Sequence, residues 1–167
     1  MEGKPVVFAV SGIKNSGKTT LICKLVQALT IRGFKVGVIK HDGHEFEADH
    51  EGTDSYKHKV AGAESVIVYS KSKLMMIKDH KEPHLEEMIA FQKDMDVIIL
   101  EGMKYSDYPK LEIVRLERSR ESVCKKETLL ALVTDTDLQI EGVKSIGLDE
   151  EEKILEVVLA FISKSSN

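Results

Sequence analysis

The stretch GIKNSGKTT at positions 12–20 constrains this chain more than any other. It follows the apolar run VVFAV (6–10). After it, Leu21, Ile22, Leu25, Val26 and Leu29 recur at helical spacing. A strand that turns through Gly-x-x-x-x-Gly-Lys-Thr into a helix builds a cradle for phosphate. The glycines let backbone N–H groups fold inward around an anion, and the helix aims its positive end at the same point. In such a cradle Gly12, Lys14, Asn15, Ser16, Gly17, Lys18, Thr19 and Thr20 surround the phosphates of a nucleotide. Lys18 reaches the β- and γ-phosphates, and the Thr19 hydroxyl ligates Mg²⁺.

The rest of the pattern extends this start into one α/β domain over residues 1–167. The spacing predicts a helix over 19–32, stopped by Gly33, and a strand at KVGVI (35–39), which together complete a parallel βαβ unit. A polar loop, 40–54, leads to a short helix over 55–61. SVIVYS (65–70) and KLMMIK (73–78) read as a hairpin, although neither Lys71 nor Ser72 favours a primed turn. An amphipathic helix over 84–93 precedes the strand DVIILEG (96–102). KLEIV (110–114) and TLLALVT (128–134) are further strands, and a helix over 149–163 closes the chain. The expected fold is a three-layer α/β domain like that of phosphate-loop NTPases, with a mainly parallel sheet and a β-hairpin extension.

A nucleotide site also needs an acid at the carboxyl end of a neighbouring strand. Asp96 opens its strand and lies at the wrong end; Glu101 closes it and faces the crevice where ligands bind. Glu101 is therefore the expected magnesium and catalytic carboxylate. The loop 40–54 holds His41, Asp42, His44, Glu45, Glu47, Asp49, His50, Glu51 and Asp54. Such residues ligate transition metals, but their spacing fits no dedicated motif. The loop after the second strand commonly serves as a switch over the γ-phosphate; in that role Asp49 helps hold Mg²⁺ and Asp54 positions water. In VTDTD (133–137), Asp135 or Asp137 can accept two hydrogen bonds from guanine, or simply form a turn. Arg115, Arg118 and Arg120 read as a solvated charged face or as the lid of a small-molecule kinase.

Composition narrows the class. Of the 167 residues 42% are hydrophobic and 31% charged, a globular balance. The net charge of −4 leaves no basic footprint for nucleic acid. No apolar stretch has the roughly 20 residues needed to span a membrane. The N-terminal apolar run lacks a signal peptide's length and cleavage site. Cys23 and Cys124 form no C-x-x-C pair, which fits reduced thiols in a cytoplasmic protein.

Taken together, VSGIKNSGKTTLICKLVQALTIRGFKVGVIKHDGHEF, DSYKHKVAGAESV and DVIILEGMKYSDYPKLEIVR resemble the molybdopterin-guanine dinucleotide biosynthesis protein B (MobB) family over nearly the whole chain. The shared particulars beyond the phosphate loop are Lys40-His41, His44 and Phe46, Asp54-Ser55, Ala61-Gly62-Ala63, Leu100-Glu101-Gly102, and Pro109-Lys110. The resemblance implies a homodimeric GTP–Mg²⁺-binding adapter that assists the guanylyltransferase joining GMP to molybdopterin and hydrolyses GTP weakly at most. Molybdopterin itself is a further candidate partner. Where many relatives carry Pro-Gly-Lys before the Asp-Ser pair, this chain has Glu51-Gly52-Thr53. The alternatives from other classes are a kinase of a nucleoside or small metabolite, and a metal-delivery GTPase.

Overall fold

A computed structural model describes residues 4–43 and 46–165 of the chain. In chain order its elements are β1 (Val6–Gly12), α1 (Lys18–Ile31), β2 (Val36–Lys40), α2 (Asp54–Val60), β3 (Ser65–Tyr69), β4 (Leu74–Lys78), α3 (Leu85–Ala90), β5 (Val97–Glu101), β6 (Lys110–Val114), β7 (Leu129–Thr134), β8 (Ser145–Ile146) and α4 (Glu151–Ser165). They divide into two compact units, Met1–His41 with Met88–Asn167, and Asp42–Glu87.

The larger unit is built on a six-stranded sheet in the order β2-β5-β1-β6-β7-β8, with every neighbouring pair parallel. β1 sits between β5 and β6, so its carboxyl end opens where the chain order departs to either side, the usual crevice for ligands in such sheets. The strands are apolar runs because parallel strands are covered on both faces. Phe8, Val10, Val97, Ile99, Leu111, Ile113 and Val133 share one core with Leu21, Ile22, Leu25 and Leu29 of α1 and Ile154, Val158 and Ile162 of α4. Phe8 meets Phe161 edge to face, ring centroids 6.4 Å apart. The fourteen-residue α1 thus packs its Leu21, Ile22, Leu25 and Leu29 stripe on the sheet, with its amino end at the phosphate loop. The two-residue strand β8 had no recognisable signal in the sequence.

The smaller unit contains α2 and the hairpin of β3 and β4. The hairpin forms a two-stranded sheet of its own and is not an added edge of the six-stranded one. Its register pairs Val66 with Ile77 and Val68 with Met75. The turn closes without the positive φ angles of a primed turn. The Ser70 hydroxyl accepts the Lys73 amide at 3.2 Å, and the Ser70 amide donates to the Lys73 carbonyl at 2.8 Å. Thr53 caps α2; its Oγ1 accepts the Tyr56 amide at 3.1 Å.

Candidate nucleotide-binding site

The phosphate loop is shaped by backbone that only certain residues tolerate. Gly12 has φ of +141° and Gly17 of +100°; Asn15, at +62°, is one of the few other residue types that enter the left-handed region readily. A Cβ at Gly12 would lie 2.5 Å from the Ile113 carbonyl oxygen and 2.8 Å from Ser16 Oγ. The loop therefore packs directly on β6. Gly17 provides no side-chain cap for α1, and no acid occupies the helix's first turn. The helix N–H groups and dipole are left for an anion.

The side chains fit a phosphate group and its cation. Ser16 is fully buried, and among the described residues its Oγ has no hydrogen-bond partner, although buried hydroxyls are normally paired. Lys18 Nζ curls back onto the loop, donating to the Ile13 carbonyl at 2.6 Å and the Gly12 carbonyl at 3.3 Å. Burial pushes the Lys18 pKa down; Glu101 opposes that shift, while Lys104 and Lys40 add to it. Thr19 Oγ1 donates to Glu101 Oε1 at 2.9 Å. The two oxygens expected to share a magnesium ion are already side by side. Lys14 and Thr20 are exposed on the same loop and first helical turn.

The acid is held in place from below. The Gly102 amide donates to the Val10 carbonyl at 2.9 Å, and the hydroxyl of buried Ser11 donates to the Gly102 carbonyl. Gly102 and Met103 both take positive φ, +96° and +54°, which turns the chain sharply after Glu101.

Beyond β6 and β7, Arg115 and Asp135 line a cavity of about 460 Å³ with Glu117, Thr134, Asp149 and Glu150. A smaller cavity of about 70 Å³ joins Arg115 and Asp149 to Ser16, Gly17 and Thr20. Asp135 Oδ1 accepts the Leu116 amide at 2.7 Å, so its carboxylate is fixed at the cavity. Asp137 does not line it. Arg115 also lies against the phosphate loop, its guanidinium 3.7 Å from where a Cβ on Gly17 would be. The sequence grouped Arg115 with Arg118 and Arg120 as a charged face, and its nearness to the loop had no local signal.

The loop acids fall in the smaller unit. Asp49 accepts the His50 amide at 2.8 Å and the Thr53 hydroxyl at 2.9 Å. Hydrogen bonding by Ser55, then by the His50 amide, holds the Asp49 carboxyl below the ordinary aspartate range. Asp54 pairs with Lys57 at 3.1 Å in the first turn of α2. Among the described residues no group of three or more His, Cys, Asp or Glu side chains is placed to hold a metal ion. His44 and Glu45 lie outside those residues.

A parallel sheet, a glycine-shaped loop opening into α1, and an acid hydrogen-bonded to the loop's threonine define a phosphate-loop α/β protein. Residues 7–135 match the family model of molybdopterin guanine dinucleotide synthesis protein B. The chain belongs to this MobB family. It is 30% identical to the molybdopterin-guanine dinucleotide biosynthesis adapter protein of Escherichia coli, with 99% of each chain covered. It is 32% identical to that of Haemophilus influenzae, covering 84% of this chain and 81% of the relative. The crystal structure of Bacillus subtilis MobB superposes with a TM-score of 0.77 at 25% identity, covering 93% of this chain and 96% of that one. A structure of molybdopterin-guanine biosynthesis protein B gives 0.72 at 28% identity, covering 94% and 99%.

Proposed function

We propose that this protein is a GTP-binding adapter in molybdopterin guanine dinucleotide biosynthesis, a homodimer that binds the guanylyltransferase of that step and hydrolyses GTP weakly at most. The observation that carries the reading is the Thr19–Glu101 contact at the mouth of the phosphate loop, in a chain whose full-length relatives are named as adapters of this synthesis. Gly12, Lys14, Asn15, Ser16, Gly17, Lys18, Thr19 and Thr20 hold the phosphates. Thr19 and Glu101 hold Mg²⁺, which supplies charge neutralisation on the phosphate oxygens. Asp135, anchored by the Leu116 amide, accepts from the guanine edge. Asp49 and Asp54 belong to the loop read as a switch. The 42–87 unit is an insert within one nucleotide-binding domain.

The exposed hairpin supports the dimer. Tyr69 is 79% and Leu74 70% exposed, with Ile67, Val68, Met75 and Met76 also open. A two-stranded sheet alone is marginal in water, and an open apolar edge invites a second chain. The test mixes the purified protein with a molybdenum cofactor guanylyltransferase, GTP, Mg²⁺ and molybdopterin. Expected are a complex on gel filtration and faster dinucleotide formation, both lost in Lys18→Ala. A protein that neither binds the transferase nor changes its rate refutes the adapter role.

A further inference from the structure

The sheet face opposite the α1–α4 core buries two charges of β6, Lys110 and Glu112, each fully inaccessible. Both reach into loops. Glu112 accepts the Ser122 hydroxyl at 2.5 Å and the Val123 amide at 2.6 Å. Lys110 Nζ donates to the Ser106 carbonyl at 2.5 Å, and to the Met103 carbonyl and Ser106 Oγ at 3.3 Å each. All three acceptors belong to the loop that leaves Glu101. A buried ammonium is costly unless its donors are used, and here three are used on one segment. Burial pushes the Lys110 pKa down, against the raising influence of Cys124, Asp107 and Glu112.

Other holds of the loop lie toward its ends, where the Pro109 carbonyl accepts the Ala9 amide at 2.8 Å. Its first residue is pinned by Val10 and Ser11, and Asp107 pairs with Lys125 at 2.6 Å near its far end. Between them, Ser106 folds back on Met103 through its amide at 3.0 Å and its hydroxyl at 2.8 Å. Lys110 ties that turn to the sheet. The same turn carries Lys104, whose charge reaches Lys18 and whose ammonium otherwise sits 4.8 Å over the Tyr105 ring.

We propose that Lys110 is a positioning residue for the nucleotide site: its buried ammonium fixes the turn at Met103–Ser106 and so steadies the segment that follows Glu101, the carboxylate that accepts the Thr19 hydroxyl. This rests on the nucleotide reading above. Lys110 itself touches neither phosphate nor cation; it acts through the loop. Without it, Glu101 keeps its strand pairing but loses the fixed turn that follows it, and Lys104 loses its fixed position on that turn. The consequence falls on cation-assisted binding more than on the phosphate loop itself.

The experiment measures fluorescent GTP affinity with Mg²⁺ and with EDTA, in the parent, Lys110→Met and Ser106→Ala, beside amide hydrogen exchange. In the parent Mg²⁺ tightens binding. In Lys110→Met that gain drops by about tenfold, roughly 1.4 kcal/mol, while affinity in EDTA stays within about twofold. Amides of residues 102–108 exchange faster, and those of β1 and β5 do not. Ser106→Ala, which leaves the buried charge intact, shifts the same ratio in the same direction by less. It carries the test if Lys110→Met does not fold. Equal losses with and without Mg²⁺, or faster exchange spread over the whole sheet, overturn the proposal in favour of a general structural role. An unchanged Mg²⁺ gain in the folded variants also overturns it. A parent that binds no nucleotide overturns the nucleotide reading, and this inference with it.

Discussion

Gly12→Ala isolates the contact between the phosphate loop and the sheet. Two effects add at this position. The backbone lies at φ of +141°, a region essentially reserved for glycine, which costs about 1–3 kcal/mol for another residue. The new methyl would also meet the Ile113 carbonyl oxygen at 2.5 Å and Ser16 Oγ at 2.8 Å. A backbone oxygen in a central parallel strand cannot move aside cheaply, and overpacking of this kind costs about 1–3 kcal/mol. The expected loss is roughly 2–6 kcal/mol, or roughly 4–24 °C in Tm at about 2–4 °C per kcal/mol. Gly33→Ala is the matched control. Gly33 has φ of +88° with nothing among the described residues within 4 Å of a Cβ, so only the backbone term remains, about 1–2 kcal/mol. Thermal and urea unfolding followed by circular dichroism give both values. If Gly12→Ala is no less stable than Gly33→Ala, the loop does not pack on β6 as described.

Other expectations follow from separate parts of the molecule. Cys124 is held by burial, and next by the Glu112 carboxylate, at a pKa pushed up to about 12, while Cys23 is exposed on α1. At pH 8 one thiol should therefore label with iodoacetamide in the folded protein and two in denaturant; two fast thiols in the folded protein would contradict the packing of Cys124. The folded thiol keeps its proton where the unfolded one loses it. That contribution to stability is full below pH 9.0 and declines as pH rises from there toward 12. Sedimentation of Met75→Lys, Ile77→Lys should give monomers from a dimeric parent; a monomeric parent, or a folded variant that remains dimeric, rules out the hairpin as the interface. Glu101→Gln should weaken nucleotide binding in Mg²⁺ more than in EDTA, and equal losses would return the metal role to another acid.

The elements that organise the site were legible because their signals are local. The glycine pattern fixes the loop, the apolar run fixes β1, and the spacing of Leu21, Ile22, Leu25 and Leu29 fixes the inner stripe of α1. The choice of Glu101 over Asp96 needed only strand direction in a parallel sheet; Glu101 accepts the Thr19 hydroxyl at 2.9 Å. Asp96 instead accepts the Lys35 amide at 2.7 Å, at the opposite end of the strand. The buried charges were not legible. Lys110-Leu111-Glu112-Ile113 alternates like a strand with one solvated face, yet β6 is flanked by β1 and β7 and covered on both sides. What makes those charges tolerable is a set of loop carbonyls, amides and hydroxyls whose arrangement is tertiary. The same holds for Arg115, which reads as one of three arginines on a polar segment until β6 is placed beside the phosphate loop. The strand Ser145–Ile146 is too short for its pattern to register.

Titration of the parent and Lys18→Ala with GTP and ATP in Mg²⁺, followed by calorimetry, tests the central claim most directly. Among the described residues the Lys18 ammonium hydrogen-bonds to the Gly12 and Ile13 carbonyls of the loop, so its removal spares the core. The account expects saturable one-to-one binding of GTP by the parent, weaker binding of ATP, and loss of measurable binding in a Lys18→Ala protein with the parent's circular dichroism. A folded Lys18→Ala that binds GTP as tightly as the parent would contradict it.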